Sequence, residues 1–540
     1  MPASQDTIPL FPYEQGMLQQ LNSEGYTSLV DVFEQACEQN KSNPAFTAIG
    51  QTLSFAELEQ HSRNFAAYLA SDCGLVAGDR IAIQLPNLLQ YPVVAWGALR
   101  AGLVVVNTNP LYTARELSHQ FNDSGAKALV ALADLLPVLE GVIPDTGIER
   151  LIITNVFDMM EAQPAPETSL ENVTTLPEAL AAGANREAPS PELSMNHMAL
   201  LQYTGGTTGP AKGAVLTHGN VFASAQQSGE YVEIDPDSPE VVIAPMPLYH
   251  IYGFSMNVVS NLSAGGHSLL IPDPRDAGDM IAVMKQYPFT ALAGVNTLFI
   301  SLMAHPDFDS VDFSHVKGVI SGGAALVEEI ASEWFNRTGT EIFEGYGLSE
   351  TAAALTCNSP DARQLGTVGK PMSCMEVKLV DTQGNEVAQG EEGELLVRGP
   401  QVMHGYWGRP EATAEALDAE GWFSTGDIAV IQADGFIKIC DRLKDMILVS
   451  GFNVYPNEIE GVVYTHPDVV ECAAIGVADE KSGEAVKLYV VSTNPELDEA
   501  SLRDFCRTEL TAYKVPRFVV FRDDLPKSNV GKILRKDLRE

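Results

Sequence analysis

The chain has 540 residues, 45% hydrophobic and 19% charged; it is too long for one ordinary core and too apolar for disorder, so two or more globular domains are expected. Its 33 basic and 71 acidic residues leave a formal net charge of −38, which disfavours nucleic acid and anionic lipid surfaces as partners. No apolar run approaches the ~18 residues of a membrane helix, the first residues carry no basic, apolar leader, and the seven scattered cysteines lack Cys-x-x-Cys spacing, so a cytoplasmic protein with reduced thiols is expected.

Thr27 or Ser28 can cap a first helix, in which Leu29, Val30, Phe33, Ala36 and Cys37 recur at helical spacing. Residues 87–100 read as largely helical despite Pro92 and lead through Ala101 and Gly102 into the apolar run 103–106; residues 128–132 and 151–154 are further strand-like runs. Alternating helices and buried strands imply an α/β fold built in layers. From residue 160 to 196 Pro, Ala and Glu dominate with little periodicity, which predicts an acidic surface excursion.

After that excursion, residues 203–214 read Tyr-Thr-Gly-Gly-Thr-Thr-Gly-Pro-Ala-Lys-Gly-Ala. Gly205, Gly206 and Gly209 let the backbone approach an anion and aim successive N–H groups at it; Thr204, Thr207 and Thr208 add hydroxyl donors and Lys212 adds charge. That is equipment for a polyphosphate, although Gly/Thr-rich stretches are often only loops. The nucleotide loop Gly-x4-Gly-Lys-Ser/Thr is not matched, because Lys212 follows Ala211 and precedes Gly213. Residues 342–351 then place Glu344 before a turn that sets Tyr346 between Gly345 and Gly347, with Ser349 and Glu350 beyond. Tyr346 could cover a purine face, and Glu350 could hold Mg2+, which takes one or two carboxylates plus phosphate oxygens. Taken alone, a Gly-Tyr-Gly turn is more often structural. Asp427, following the tight turn of Ser424, Thr425 and Gly426, is suited to accept hydrogen bonds from both hydroxyls of a ribose.

A second change of pattern comes near Asp434. Phe436, Ile437 and Ile439 read as a strand, residues 446–449 as another, and Asn457 can cap a helix beginning at Glu458. Strands at 469–477 and 487–491, a helix at 502–510 and a strand at 518–521 complete a compact α/β unit of roughly one hundred residues. Up to Asp434 there are 18 basic and 53 acidic residues; beyond it, 15 and 18. The near-balanced end could present cations to an anionic ligand. The acidity of the rest is that of an ordinary cytosolic protein or of a salt-adapted one, since molar salt shortens the Debye length to ~3 Å and relieves self-repulsion. On the second reading stability rises from low to molar KCl; a flat thermal-melting response would reject it.

The segment Thr-Gly-Gly-Thr-Thr-Gly-x-x-Lys-Gly at 204–213, the Gly-Tyr-Gly segment, residues 421–428 (Gly-Trp-Phe-Ser-Thr-Gly-Asp-Ile), 441–444 (Asp-Arg-Leu-Lys) and 526–532 (Pro-Lys-Ser-Asn-Val-Gly-Lys) together resemble the acyl-adenylate-forming superfamily. Residues 107–113 and 445–456 are similar to those of bacterial long-chain fatty-acyl-CoA ligases, and the resemblance runs from about Thr27 to Arg539. One departure is visible: that superfamily has proline directly before the loop lysine, where this chain has Pro210 and then Ala211. The resemblance implies a large multi-layer N-terminal adenylation domain of stacked sheets and helices, residues 1–440, holding the ATP and acyl sites. A small, mobile α/β C-terminal domain, residues 441–540, would turn on a hinge near Lys444.

It also implies roles. ATP or AMP would be held by Thr204, Gly205, Gly206, Thr207, Thr208, Gly209 and Lys212, by Gly322, Gly323 and Ala324 against the adenine, by Glu344, Gly345, Tyr346, Gly347 and Ser349, and by Asp427, Arg442 and Lys532. Lys532, Glu350, Thr207 and Lys212 would be catalytic, with Glu350 on Mg2+; His250, Phe254 and Asn296 would line the acyl site, and Gly451 the path of CoA. The implied reaction joins a medium- to long-chain fatty acid to ATP, giving acyl-AMP and pyrophosphate, and then transfers the acyl group to CoA. Phe254 stands where some long-chain enzymes carry an aromatic gate, whereas the acidic stretch 160–196 stands where they often have a basic, apolar one. Weak peripheral contact at the inner membrane face and a homodimer are compatible with the resemblance. Alternatives sharing these motifs are a ligase that loads an acyl carrier protein, for which no carrier domain is expected after Lys532, a luciferase-like oxygenase, and a non-catalytic binder.

Overall fold

The computed structural model describes residues 7–161, 163–204, 210–230, 239–479, 481–528 and 531–539. Two large sheets dominate the N-terminal part. In the first, the strands run spatially Val173–Thr175, Arg150–Thr154, Ala128–Leu132, Arg80–Gln84, Val104–Asn107, Met198–Tyr203 and Gly213–Thr217. All neighbours pair in parallel except the last two strands. The second sheet has nine strands; at its centre Val241–Ala244, Ala291–Gly294, Gly318–Ser321 and Ile342–Leu348 are parallel. Parallel strands deliver their carboxyl ends, and the loops that follow, to one edge. The loops after Ala244, Gly294 and Ser321 and the end of the Ile342–Leu348 strand carry His250, Asn296, Gly322 and Glu350.

Between the sheets lie helices buried on most sides. Helix Leu29–Gln39 starts as its spacing predicts, with the Ser28 hydroxyl accepting the Asp31 N–H at 3.4 Å. Its Phe33 ring stacks on Trp96 at 4.4 Å. Helix Gln90–Arg100 tolerates Pro92 because the proline falls in the first turn, where the N–H has no helical acceptor; every residue of this helix is buried.

The stretch 160–196 departs from expectation. It contains the short strand Val173–Thr175 and the helix Leu176–Gly183, whose Thr175 and Glu178 form a reciprocal capping box. Leu176, Ala179, Leu180 and Gly183 face inward, and Gly183 lies so close to the next helix that a Cβ there would sit 1.8 Å from the Asn64 carbonyl oxygen. Two turns are too few for a visible period, and Pro177 reads as a breaker although it stands at the start of the helix.

A four-stranded antiparallel sheet, Glu376–Val380, Glu392–Arg398, Phe423–Ile431 and Ile437–Arg442, follows. The smaller C-terminal domain then begins a sheet of its own at Ile447–Val449, with strands Phe452–Val454, Gly483–Ser492, Val469–Asp479 and Phe518–Phe521. Its core is separate, built from Ile447, Val463, Cys472, Leu488, Leu502 and Cys506 among others. Lys444 lies between the two sheets. Asn457 is not the cap of the next helix: Pro456 opens it, and the Asn457 N–H and side-chain amide are held by Asp441 Oδ2 (2.7 Å) and the Cys440 carbonyl (3.1 Å). Among the described residues no helix is long and apolar enough to cross a membrane, and the seven cysteines are free, four of them buried and three half-buried.

Candidate active site

Strands Met198–Tyr203 and Gly213–Thr217 are antiparallel, with Tyr203 opposite Gly213, and the Thr204 N–H donates to the Lys212 carbonyl at 3.0 Å. The glycine- and threonine-rich segment joins these two strands in sequence. Its residues Gly205, Gly206, Thr207, Thr208 and Gly209 lie outside the described residues. At its base the Lys212 ammonium sits 4.1 Å from the centroid of the Tyr406 ring. The Tyr406 hydroxyl donates to Glu350 Oε1 at 2.8 Å. Lys212 and Glu350, read separately from the sequence, are thus brought to one aromatic side chain that nothing in the sequence marks. Burial, and then the neighbouring Glu350 carboxylate, push the Tyr406 phenol well above its usual range.

Glu350 is held on strained backbone. The short turn Ser349–Thr351 is followed by Ala352 at φ 50° and Ala353 at φ 103°, conformations that non-glycine residues avoid. Three contacts fix them: the Ser255 hydroxyl donates to the Ala352 carbonyl (2.8 Å), the Thr351 hydroxyl to the Ala353 carbonyl (3.1 Å), and Gly347 passes so near that a Cβ would lie 1.7 Å from the Ala353 oxygen. This explains the second glycine of the Gly-Tyr-Gly segment, which is not the turn expected from sequence but part of the strand Ile342–Leu348, paired antiparallel with Ala353–Cys357.

The surroundings of Asp427 are equally defined. Asp427 and Arg442 face each other across paired strands, with Arg442 Nε 2.7 Å from Asp427 Oδ1. The Tyr346 hydroxyl donates to Asp427 Oδ2; burial, and then Asp427, keep that phenol protonated. Asp427 is 2% exposed. A carboxylate offers about four lone-pair directions, so two remain beyond those taken by Arg442 and Tyr346.

Gly322, Gly323 and Ala324 form the loop after Ser321; Gly323 has φ +86°, and Gly322 runs 3.3 Å, measured from a notional Cβ, from the Tyr252 ring. Glu344 pins this loop, its Oε1 accepting the Leu326 N–H at 3.0 Å, and burial pushes its carboxyl up to about 8. The Glu344 carbonyl in turn accepts both the N–H (2.9 Å) and the side-chain amide (3.2 Å) of Asn358, a partner not foreseen from sequence. Asn296 is also a tie: its amide donates to the Ala325 carbonyl (2.6 Å) and its Oδ1 accepts the Val327 N–H (3.2 Å). The hydroxyls of Tyr252 and Ser321 are buried without a hydrogen-bond partner among the described residues.

His250 caps the turn Ile251–Gly253, its Nδ1 accepting the Tyr252 N–H at 3.2 Å, and burial pushes the imidazole down to about 4. It is therefore neutral, with its proton on Nε2. Phe254, fully buried, opens the π-helical stretch Phe254–Ser260, a geometry that recurs at functional sites.

The C-terminal domain contributes Lys532. Gly531, at φ +77°, lies against Thr297, where a Cβ would come within 2.6 Å of the hydroxyl. Burial first, then the facing charges of Arg442 and Arg535, push the Lys532 ammonium down to about 8, against the pull of Asp427. The side chain keeps an exposed flank, so water moderates that shift. Three residues on, Arg535 binds Asp441 (2.9 Å), Glu460 (2.6 Å) and Asn457. Lys444 is exposed and its ammonium is lowered by partial burial and then by Arg442. Gly451 stands apart, at φ +85° on the exposed turn of the hairpin Ile447–Val449 and Phe452–Val454.

Residues 33–407 match the AMP-binding enzyme family, and residues 458–532 the AMP-binding enzyme C-terminal domain. The chain is 47% identical to a long-chain-fatty-acid–CoA ligase of Escherichia coli O157:H7, over 96% of both chains, and 42% identical to one of Haemophilus influenzae, over 98% of this chain and 97% of that one. Among solved structures it is similar to ATP-bound MatB from Rhodopseudomonas palustris, with a TM-score of 0.83, 29% identity and coverage of 94% and 98%. The fold is also that of the anthranilate CoA ligase AuaEII in complex with anthranoyl-AMP, with a TM-score of 0.87, 24% identity and coverage of 99% and 98%.

Proposed function

The chain belongs to the AMP-binding enzyme family, and from that premise we propose that it is an AMP-forming long-chain-fatty-acid–CoA ligase. It converts ATP and a fatty acid to acyl-AMP and pyrophosphate, then acyl-AMP and CoA to acyl-CoA and AMP. The observation that carries the assignment is near full-length identity of 47% to long-chain-fatty-acid–CoA ligases, read onto a site where Lys212, Glu350, Tyr346, Asp427, Arg442 and Lys532 come from both domains.

In this reading residues 204–209 and Lys212 hold the phosphates, the loop 322–324 and the Gly-Tyr-Gly segment at 345–347 with Ser349 flank the adenine, and Asp427 and Arg442 hold the ribose. The fatty carboxylate, placed past His250 and Phe254, attacks the α-phosphorus in line. Lys532 supports the charge that develops on the transferring group.

Among the described residues no three potential ligands gather into a metal cage. A lone Glu350 carboxylate instead suits a Mg2+ ion carried on ATP phosphates, which keeps most of its coordination for phosphate and water. When bound, the ion neutralises phosphate charge. The chain's own part is to hold that carboxylate still, through Tyr406 and the strained turn.

The proposed division of the chain is an adenylation domain of residues 1–440 and a mobile domain of residues 441–540, turning about Lys444. After adenylation the small domain rotates, Lys532 withdraws, and the hairpin bearing Gly451 lines the pantetheine path. A cytoplasmic homodimer with weak peripheral membrane contact belongs to the same proposal; sedimentation and vesicle flotation test those two parts.

The deciding assay is AMP release across a series of saturated fatty acids, with free CoA or an acyl carrier protein as acceptor. The expected result is acyl-CoA formation that improves with chain length by up to about fourfold per added methylene until the pocket is filled. Exclusive use of the carrier protein, or indifference to chain length, would overturn the substrate assignment.

A further inference from the structure

We propose that Tyr406 is a positioning residue that keeps the loop lysine and the metal carboxylate from pairing with each other, so that each meets ATP uncommitted. The inference rests on the reading of Lys212 and Glu350 given above. Opposite charges at one partly desolvated site attract strongly, and a direct Lys212–Glu350 pair would cancel the charge that each offers to the phosphates and their cation. Tyr406 gives each a neutral partner instead. The ring face receives the Lys212 ammonium at 4.1 Å, a contact that leaves all three N–H donors free. The hydroxyl tip takes one oxygen of Glu350 at 2.8 Å and leaves the other for a cation. Among the described residues neither Lys212 nor Glu350 makes an ion pair within 4.0 Å; the Arg442 guanidinium feels the Glu350 charge only from beyond that distance.

The placement of Tyr406 is itself built in. The Met403 N–H donates to the Glu350 carbonyl (2.7 Å), the Val215 N–H to the Gly405 carbonyl (2.9 Å), and the Trp407 N–H to the Gly213 carbonyl (2.8 Å). The segment 403–407 is therefore stitched on one side to the residue bearing the carboxylate and on the other to the strand that leaves the phosphate loop. The Tyr406 N–H is bonded to the Thr413 hydroxyl at 2.9 Å, and Tyr406 is 9% exposed. Neither charged side chain can shift without working against this tyrosine.

Equilibrium ATP binding, measured without metal and over a Mg2+ titration on the full chain, tests the proposal. Tyr406→Phe keeps the face and removes the tip: metal-free ATP binding should stay within about twofold while the Mg2+ concentration for half-maximal tightening rises about tenfold, the usual scale for losing a partner of a metal-bound carboxylate. Tyr406→Leu removes both and lets the charges pair, so metal-free ATP binding should weaken about fivefold. Adding Glu350→Gln to that variant should restore it to within about twofold of Glu350→Gln alone, because the competing carboxylate is gone. An unshifted Mg2+ dependence in Tyr406→Phe overturns the proposal even if Tyr406→Leu fails to fold by far-UV circular dichroism. So does a folded Tyr406→Leu that Glu350→Gln does not restore. Lys212→Ala separates the underlying reading: unchanged metal-free ATP binding there overturns the assignment of the loop lysine, and this proposal with it, whatever the tyrosine variants do.

Discussion

Replacing Lys532 by alanine is expected to slow pyrophosphate release from ATP and fatty acid by about two to three orders of magnitude, the usual cost of deleting one donor aimed at developing charge. Conversion of supplied acyl-AMP to acyl-CoA should stay within about twofold on the domain-rotation scheme, because the lysine has then left the site. Pyrophosphate release and thioester formation, assayed separately, decide it; equal loss in both would refute the alternation. The depressed ammonium adds a pH signature. Burial and then Arg442 push Lys532 down toward about 8, from the ~10.4 of an open lysine; the side chain is exposed and water moderates the drop, so its charge is lost between those two values as pH rises. The first half-reaction should therefore fall on the alkaline side while the second does not follow it. Lys532→Arg, which keeps its charge throughout, should remove that alkaline limb even if its rate is lower.

Asp427→Ala should be almost as damaging, and for a different reason. It deletes the buried carboxylate that binds Arg442 at 2.7 Å and takes the Tyr346 hydroxyl, leaving a half-buried guanidinium without its partner. Breaking a buried pair costs about 3–5 kcal/mol; since the Arg442 side chain is 31% exposed, water recovers part of this, and about 2 kcal/mol of lost stability is expected. ATP affinity should fall about a hundredfold, since two charge-assisted hydrogen bonds to the ribose go as well. Asp427→Asn, which keeps the shape and loses the charge, should lie between. ATP binding by Asp427→Ala within twofold of the unaltered chain would remove Asp427 from the nucleotide site.

What could be read from the sequence followed from how local each device is. The glycine- and threonine-rich loop, the Gly-Tyr-Gly segment and Asp427 stand out as candidates because the chemistry proposed for each is packed into a few adjacent residues. Tyr406, Asn358 and Thr297 do not, since each matters through a partner far along the chain: Lys212 and Glu350, Glu344, and Gly531. Asn296 is placed at the acyl site by resemblance alone; that its amide ties down residues 325–327 has no signal in the sequence around it. The layered fold was legible because buried parallel strands are short, apolar and regularly separated by helices. The helix Leu176–Gly183 was not, although its Thr175–Glu178 capping box was a signal in plain view.

The two alanines in left-handed backbone beyond Glu350 set stability against reactivity at one point of the chain. Backbone held in such conformations costs of order 1–3 kcal/mol per residue, sustained by Ser255, Thr351 and the missing side chain of Gly347. Its return is that the carboxylate is already ordered, so that in the role proposed for Glu350 binding of ATP and its cation need not freeze it. Substitutions that let residues 352 and 353 relax are thus the ones a search for thermal robustness would select, and the ones that would make the protein a hardier fold and a poorer ligase.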